Sequence, residues 1–271
     1  MITSFVLLGL AARALSECTR EVLITASNAY ISAQSSGSLT TFNTLSANLT
    51  YLENNITVTP STSLLATPIK IDFNRTIHDT VLCRTYIELT AATNPHPYVI
   101  STALYLTDDK ITYVDSVVAD AGDWAFNATG HLTYTKSESW PSIPPSAQLP
   151  RAQIQAAADA YLDSWGNGSV PVPYGTPCAR LEGGSYTDTK NSGKNTCKMP
   201  EFPKPFYAGN RRYIVDVEMG AVAVFNDFPF IEKTKPAGTP SVNFVRVEGG
   251  SVGGIRYVHE NTVCATRNCG R

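Results

Sequence analysis

Apolar positions recur with helical spacing in two places along this chain. Val22, Leu23, Ala26, Ala29, Tyr30 and Ala33 return at intervals of three and four, and Gly37 stops the pattern where a C-cap glycine stands. From Arg151 onward, Ile154, Ala157, Ala158, Tyr161 and Leu162 repeat it as far as Gly166, behind Pro150, a residue tolerated at a helix start. After each helix the pattern turns to strand-like runs. The first group is 80–89, 98–106 and 110–118, with Asp108-Asp109 as a turn; the second is 213–228, 242–248 and 254–263, joined across the glycine-rich 248–254. Residues 137–150, rich in Pro and Ser, predict a linker laid over the surface.

The two groups are copies. Ala26, Ala29 and Tyr30 followed by Gly37-Ser38 return as Ala157, Ala160 and Tyr161 followed by Gly168-Ser169, offset by 131. R-x-I-x-D occurs at Arg75, Ile77 and Asp79 and again at Arg212, Ile214 and Asp216, offset by 137. I-x-Y-V occurs at Ile111, Tyr113 and Val114 and again at Ile255, Tyr257 and Val258, offset by 144. Solenoid periods run about 20–50 residues, so this period predicts one duplicated fold instead. The expected layout is a signal segment 1–16, a first half 17–136, the linker 137–150 and a second half 151–271. Each half is α+β, a helix on a curved antiparallel sheet, which resembles the cone of polyketide cyclases and nuclear transport factors. Ligands favour the place where two such units meet.

The amino terminus predicts a secretory signal peptide: an eight-residue apolar run, Phe5 to Ala12, is too short to span a bilayer, and Ala12-Arg13-Ala14 offers a cleavage pattern. Sequons at Asn48, Asn55, Asn74, Asn127 and Asn167 fit N-glycosylation in that pathway, and Pro95 disqualifies Asn94. Six cysteines in an oxidising compartment predict three disulfides. The preferred pairing is Cys18–Cys83, Cys178–Cys197 and Cys264–Cys269, one of fifteen connectivities. Net charge is −2 with mixed signs, which points to neither nucleic acid nor an anionic membrane. No Cys or His spacing suggests a metal site. The expectation is a secreted, soluble glycoprotein without a cofactor, and a homodimer is compatible with it.

Candidate chemistry is sparse. Gly249-Gly250-Ser251-Val252-Gly253 matches G-x-S-x-G, but its flanks are two strands, so it reads as a hairpin turn rather than a nucleophile elbow. The R-x-I-x-D segments place Arg75 with Asp79, and Arg212 with Asp216, on one strand face. They predict internal ion pairs bracing helix to sheet. His96 lies in a loop between prolines, His131 follows a sequon and is expected near the surface, and His78 alternates with Ile77. His259 stands where Asp115 stands in the first copy, which makes it the candidate acid or base; a hydrogen-bonded, half-buried histidine is the plain alternative. Asp123, Trp124 and Trp140 have no counterpart in the second half. Arg180, Glu182 and Tyr186, at even-numbered offsets beside Cys178, have none in the first. With Tyr257, these are candidate pocket walls, Arg180 and Glu182 joining His259 as catalytic candidates. A packing tryptophan and a solvated loop are the plain readings.

Cys18-Thr-Arg20, the run from Gly122-Asp123-Trp124 to Gly130, Gly175-Thr-Pro-Cys178 through Gly184, Arg211-Arg212-Tyr213 and Gly220-Ala-Val222 together resemble a fungal secreted domain, much of it without assigned activity. That family is similar to, and includes, the hetero-Diels–Alderases of tropolone–sesquiterpenoid biosynthesis. The resemblance implies dehydration of a hydroxymethyl tropolone to a quinone methide, then cycloaddition with humulenol; it supplies no catalytic positions. Such a reaction asks for apolar partners held together, a polarising donor and an acid. Two other readings stay open: a secreted binding or structural glycoprotein without catalysis, and a polyketide-type isomerase or cyclase using His259.

Overall fold

A computed structural model describes residues 18–42, 44–199, 207–228, 238–250 and 253–269. The expected signal segment and Ser251-Val252 of the G-x-S-x-G match lie outside these residues. The first half runs α1 (Arg20–Ser36), β1 (Leu45–Glu53), β2 (Ile56–Val58), β3 (Phe73–Asp79), β4 (Arg84–Ala91), β5 (Tyr98–Thr107), β6 (Lys110–Ala119) and α2 (Ala128–Ser137). The second runs α3 (Arg151–Asp163), β7 (Tyr174–Glu182), β8 (Ser185–Tyr186), β9 (Gly209–Asp216), β10 (Ala221–Phe228), β11 (Thr239–Glu248) and β12 (Gly254–Thr262). Each half forms a six-stranded mixed sheet, in the order β2-β1-β6-β5-β4-β3 and β8-β7-β12-β11-β10-β9. The order is the same in both. In each, the first strand pairs in parallel with the last and the remaining neighbours are antiparallel.

Local chemistry sets the ends of the helices. The Thr19 hydroxyl caps α1 by accepting from the Val22 amide, and Gly37, at φ 64°, returns its amide to the Ala33 carbonyl. Pro150 precedes α3 as expected. Strand boundaries depart from the hydrophobic runs. Residues 80–83 form a turn carrying Cys83 at φ 52°, so β4 starts only at Arg84. The 213–228 run is two strands folded at Gly220 (φ 54°), where a Cβ would stand 2.6 Å from the Val247 carbonyl oxygen. An uninterrupted apolar run conceals such a turn, because both strands bury both faces. β1, β2, β7, β8 and α2 carried too few apolar repeats to be foreseen.

Strand alternation divides the interior into three layers of packing. Leu23, Ala26, Tyr30 and Ala33 of α1 pack on Ile87, Leu89, Ile100 and Val114. Ile154, Ala157, Tyr161 and Leu162 of α3 pack on Val222, Val224, Val245 and Val258. The opposite faces of the sheets meet each other: Ile77, Tyr86, Ala103 and Val117 lie against Ile214, Ala223, Phe225 and Phe244. The order is therefore helix, sheet, sheet, helix.

The disulfides are Cys18–Cys83, Cys178–Cys197 and Cys264–Cys269. All five sequon asparagines are exposed, which leaves them open to glycan transfer. No helix among the described residues is long and apolar enough to cross a membrane.

The R-x-I-x-D charges pair differently from the expectation. Asp79 is bound by Arg151 of α3, and Asp216 by Arg20 of α1. Arg212 binds Asp115, and Arg75 binds Glu88. Arg75 and Asp79, four residues apart on one strand, face different neighbours: Arg75 stays within the first half, while the pairs of Asp79, Arg212 and Asp216 tie the halves to each other. The linker also departs from a surface path: Glu138 and Trp140 turn inward between the sheets, and Ile143 is buried over Gly220.

Candidate functional site

His259 is the centre of a buried polar cluster where the sheets meet. β12 alternation turns Val258 and Glu260 toward α3 and sends Tyr257, His259 and Asn261 toward the first half. Nδ1 of His259 lies 2.7 Å from Oε1 of Glu88 on β4, and Nε2 lies 2.7 Å from Oε2 of Glu138, just past α2. Glu88 also accepts from Arg75 at 3.1 Å. Arg75 lies over the Trp140 ring, 4.2 Å from its centroid, and Trp140 donates its indole N–H to Glu138 at 2.8 Å. His131 on α2 completes the group: its Nε2 is 3.7 Å from Glu88, and its Nδ1 is 2.8 Å from the Thr90 hydroxyl.

Burial decides the protonation states. It disfavours charge on His259, yet the Glu138 and Glu88 carboxylates outweigh it and push the imidazole up to about 9. Burial would raise Glu88, but His259 and Arg75 hold it down at about 2. At His131 burial, joined by the positive charges of His259 and Arg75, prevails over Glu88 and Glu138, and the ring falls to about 4. Two carboxylates therefore face an imidazolium and a guanidinium, with a neutral histidine beside them, and the charges cancel. Both N–H groups of His259 are spent on carboxylates, so neither is free to donate to an organic ligand.

The expected site residues fall into three places. Trp140, Tyr257 and Tyr186 surround the His259 cluster. Trp140 stacks on Phe244 and Tyr257 with centroids 4.7 and 5.6 Å apart, and Tyr186 stacks on Tyr134 at 4.5 Å. Burial and the nearby Glu138 push the Tyr186 phenol far above its usual range. Arg180 lies on the other face of the second sheet, toward α3, 3.8 Å from Glu260, whose carboxylate also accepts from Tyr161. Burial lifts Glu260 to about 7 against the pull of Arg180. Glu182 accepts the Trp124 indole at 2.5 Å, and Asp123 accepts the Cys264 and Asp120 amides. Burial raises Asp123 to about 6, opposed by the Cys264 amide. Arg180 and Glu182 pair with each other at 3.5 Å, but neither reaches His259: a strand's alternation puts the sheet between His259 and Arg180.

Sequence reasoning missed Glu88, Glu138 and His131. His131, expected near the surface, is 2 % exposed, because α2 lays it against β4. Glu88 was open to detection. It faces Arg75 across β3 and β4, as Phe225 faces Arg212 across β9 and β10, so the copies differ there as they do at His259 and Asp115.

A separate cleft of about 510 Å³ lies between α3 and the β11–β12 turn. Leu149, Ala156, Ala160, Pro171, Pro173 and Val247 supply its apolar side chains, with Gln153 and Glu248 as polar groups. Small residues on one face of α3 and the glycines at 249, 250, 253 and 254 leave the space open. Gly254, at φ 133°, lets β12 start so close to residue 173 that a Cβ would meet the Pro173 carbonyl oxygen at 2.4 Å.

No curated protein and no solved structure matches the chain. Residues 147–262, covering α3 and β7 to β12, are similar to a family described as a domain of unknown function (DUF8021).

Proposed function

We propose that this chain is a secreted glycoprotein that binds an apolar small molecule in the cleft between α3 and the β11–β12 turn. One observation carries the reading. Every wall residue of that cleft, from Leu149 to Gly254, falls within the stretch similar to the family model, while Arg75, Glu88, His131, Glu138 and Trp140 of the His259 cluster lie outside it. The volume suits a drug-sized ligand, and the apolar wall with two polar groups is the usual make-up of such sites. His259 serves as a brace in this reading, since both its nitrogens are occupied. The test is displacement of an apolar fluorescent probe from the purified glycoprotein by humulenol and by a hydroxymethyl tropolone. Micromolar displacement, lost in Ala156→Trp, supports the cleft. Probe binding that Ala156→Trp leaves unchanged overturns it.

A second reading, a hetero-Diels–Alderase, is favoured by the resemblance at Gly175 to Gly184 and Arg211 to Val222, which runs through the cleft-bearing half. Cycloaddition gains several kcal/mol from holding two apolar partners together, and an apolar cleft can supply that. Gln153 is the donor within the cleft placed to polarise a carbonyl. Incubation with both partners tests it: a product ratio and stereochemistry equal to the control without protein reject catalysis and leave the binding reading standing.

A further inference from the structure

We propose that Glu88, His131 and His259 form a binding site for a divalent transition metal, with zinc the first candidate. The inference goes beyond the cleft and does not depend on it, because the cluster lies on the opposite face of the second sheet.

The donor atoms carry the argument. One ligand atom from each of the three buried side chains lies within 4.8 Å of the other two. Nδ1 of His259 and Nε2 of His131 stand 2.7 and 3.7 Å from the same Glu88 oxygen. Ligands on a tetrahedral zinc with bonds of about 2.0–2.1 Å stand about 3.3 Å apart. Loading therefore releases the Nδ1 proton of His259, and opens one edge and closes the other by about half an ångström each, a movement on the scale of a side-chain rotation.

The surroundings are those of ligands held by outer partners. A metal-binding histidine normally gives its second ring nitrogen to a carboxylate or another acceptor, which fixes the tautomer. Here His259 gives Nε2 to Glu138 at 2.7 Å, and Nδ1 of His131 lies 2.8 Å from the Thr90 hydroxyl, the acceptor it would have with Nε2 on a metal. The second oxygen of Glu88 is held by Arg75 at 3.1 Å, which leaves the first turned to both imidazoles. The other oxygen of Glu138 is buried with no hydrogen-bond partner, so the cluster holds more acceptor capacity than its own donors use. Two imidazoles and one carboxylate suit zinc and its neighbours in the first transition row rather than calcium or magnesium.

The ligands come from β4, α2 and β12, so the site closes only when the halves dock. No sequence spacing could announce it, because the three residues belong to distant segments.

The test uses the full-length glycoprotein, dialysed against a chelator and titrated with zinc chloride by calorimetry. In parallel, cobalt chloride is followed by visible absorption. The expected result is one zinc per chain and the intense absorption of four-coordinate cobalt. Zinc affinity should fall at least about 100-fold in Glu88→Gln and His131→Gln, and about 10-fold in Thr90→Val, which touches only an outer partner. Absence of stoichiometric zinc uptake by the wild-type protein overturns the site whatever the variants do. So does uptake that survives unchanged in both ligand variants. The cobalt spectrum of the wild type keeps the test decisive if a variant fails to fold: six-coordinate, weakly absorbing cobalt also overturns it.

Discussion

Arg151 closes both guanidinium nitrogens on the Asp79 carboxylate at 2.7 Å, and so joins the helix that opens the second half to a strand of the first. Arg20 and Asp216 repeat the relation in the other direction at 3.1 and 3.0 Å. The two bridges are one device applied twice by a duplicated fold, each helix start bound to the partner sheet. Asp79 is fully buried and also accepts the Val215, Val81 and Leu82 amides, so removing it strands several donors at once. Asp79→Ala is expected to cost about 3–5 kcal/mol, the range for breaking a buried pair from one side. In a double-mutant cycle with Arg151→Ala, denaturant midpoints should give a coupling of at least about 1 kcal/mol. Additive losses would mean that the bridge does not join the halves energetically.

Duplication was legible because helices and core strands repeat their apolar spacing: Ala26 to Tyr30 returns in Ala157 to Tyr161, and both helices pack as that spacing requires. The disulfides followed from composition and position. The partners of the charged residues were not legible. Arg75 and Asp79 share a strand, so local spacing paired them, yet each meets a residue that only tertiary docking supplies. The site was half visible. Comparing the copies singled out His259, but its carboxylates come from β4 and from the segment after α2, and neither carries a periodic signal.

The cleft reading predicts a separation of binding from stability. Ala156 lies exposed on α3 at the cleft wall, so a tryptophan there fills space without entering the core. Ala156→Trp is expected to weaken binding of an apolar probe at least about tenfold, with stability changed within about 0.5 kcal/mol as for most surface substitutions. Fluorescence titration and thermal melting together check it. A large loss of stability would show that the space is part of the packed core.

Cys178 and Cys197 close a loop with a sequence separation of 19 and lie in the core packed beneath α3. In the chain-entropy account, a loop of this length restricts the unfolded chain by roughly 3 kcal/mol. The double variant Cys178→Ser and Cys197→Ser is expected to lose at least that much, since it also buries two hydroxyls where sulfur packed. Chemical denaturation measures the difference. The cleft lies near this loop's strand but not on it, so probe affinity should hold in whatever fraction remains folded.

The imidazolium of His259 makes stability fall on the alkaline side. Its folded value of about 9 stands above the usual 6.5, so the folded state holds a proton that the unfolded chain gives up. The stabilisation is complete below about 6.5 and is lost as pH rises through about 9, amounting to roughly 3 kcal/mol at most. Glu260 is raised too, but only to about 7, and the buried tyrosines that shift do so upward from 10. Between pH 7.5 and 9.5 the change therefore belongs to His259. Melting of the metal-free protein in a chelator should show the temperature falling across this interval. His259→Gln, less stable at neutral pH, should show a flat profile there. A flat profile in the wild type would mean that the cluster holds no proton in this interval that the unfolded chain has given up.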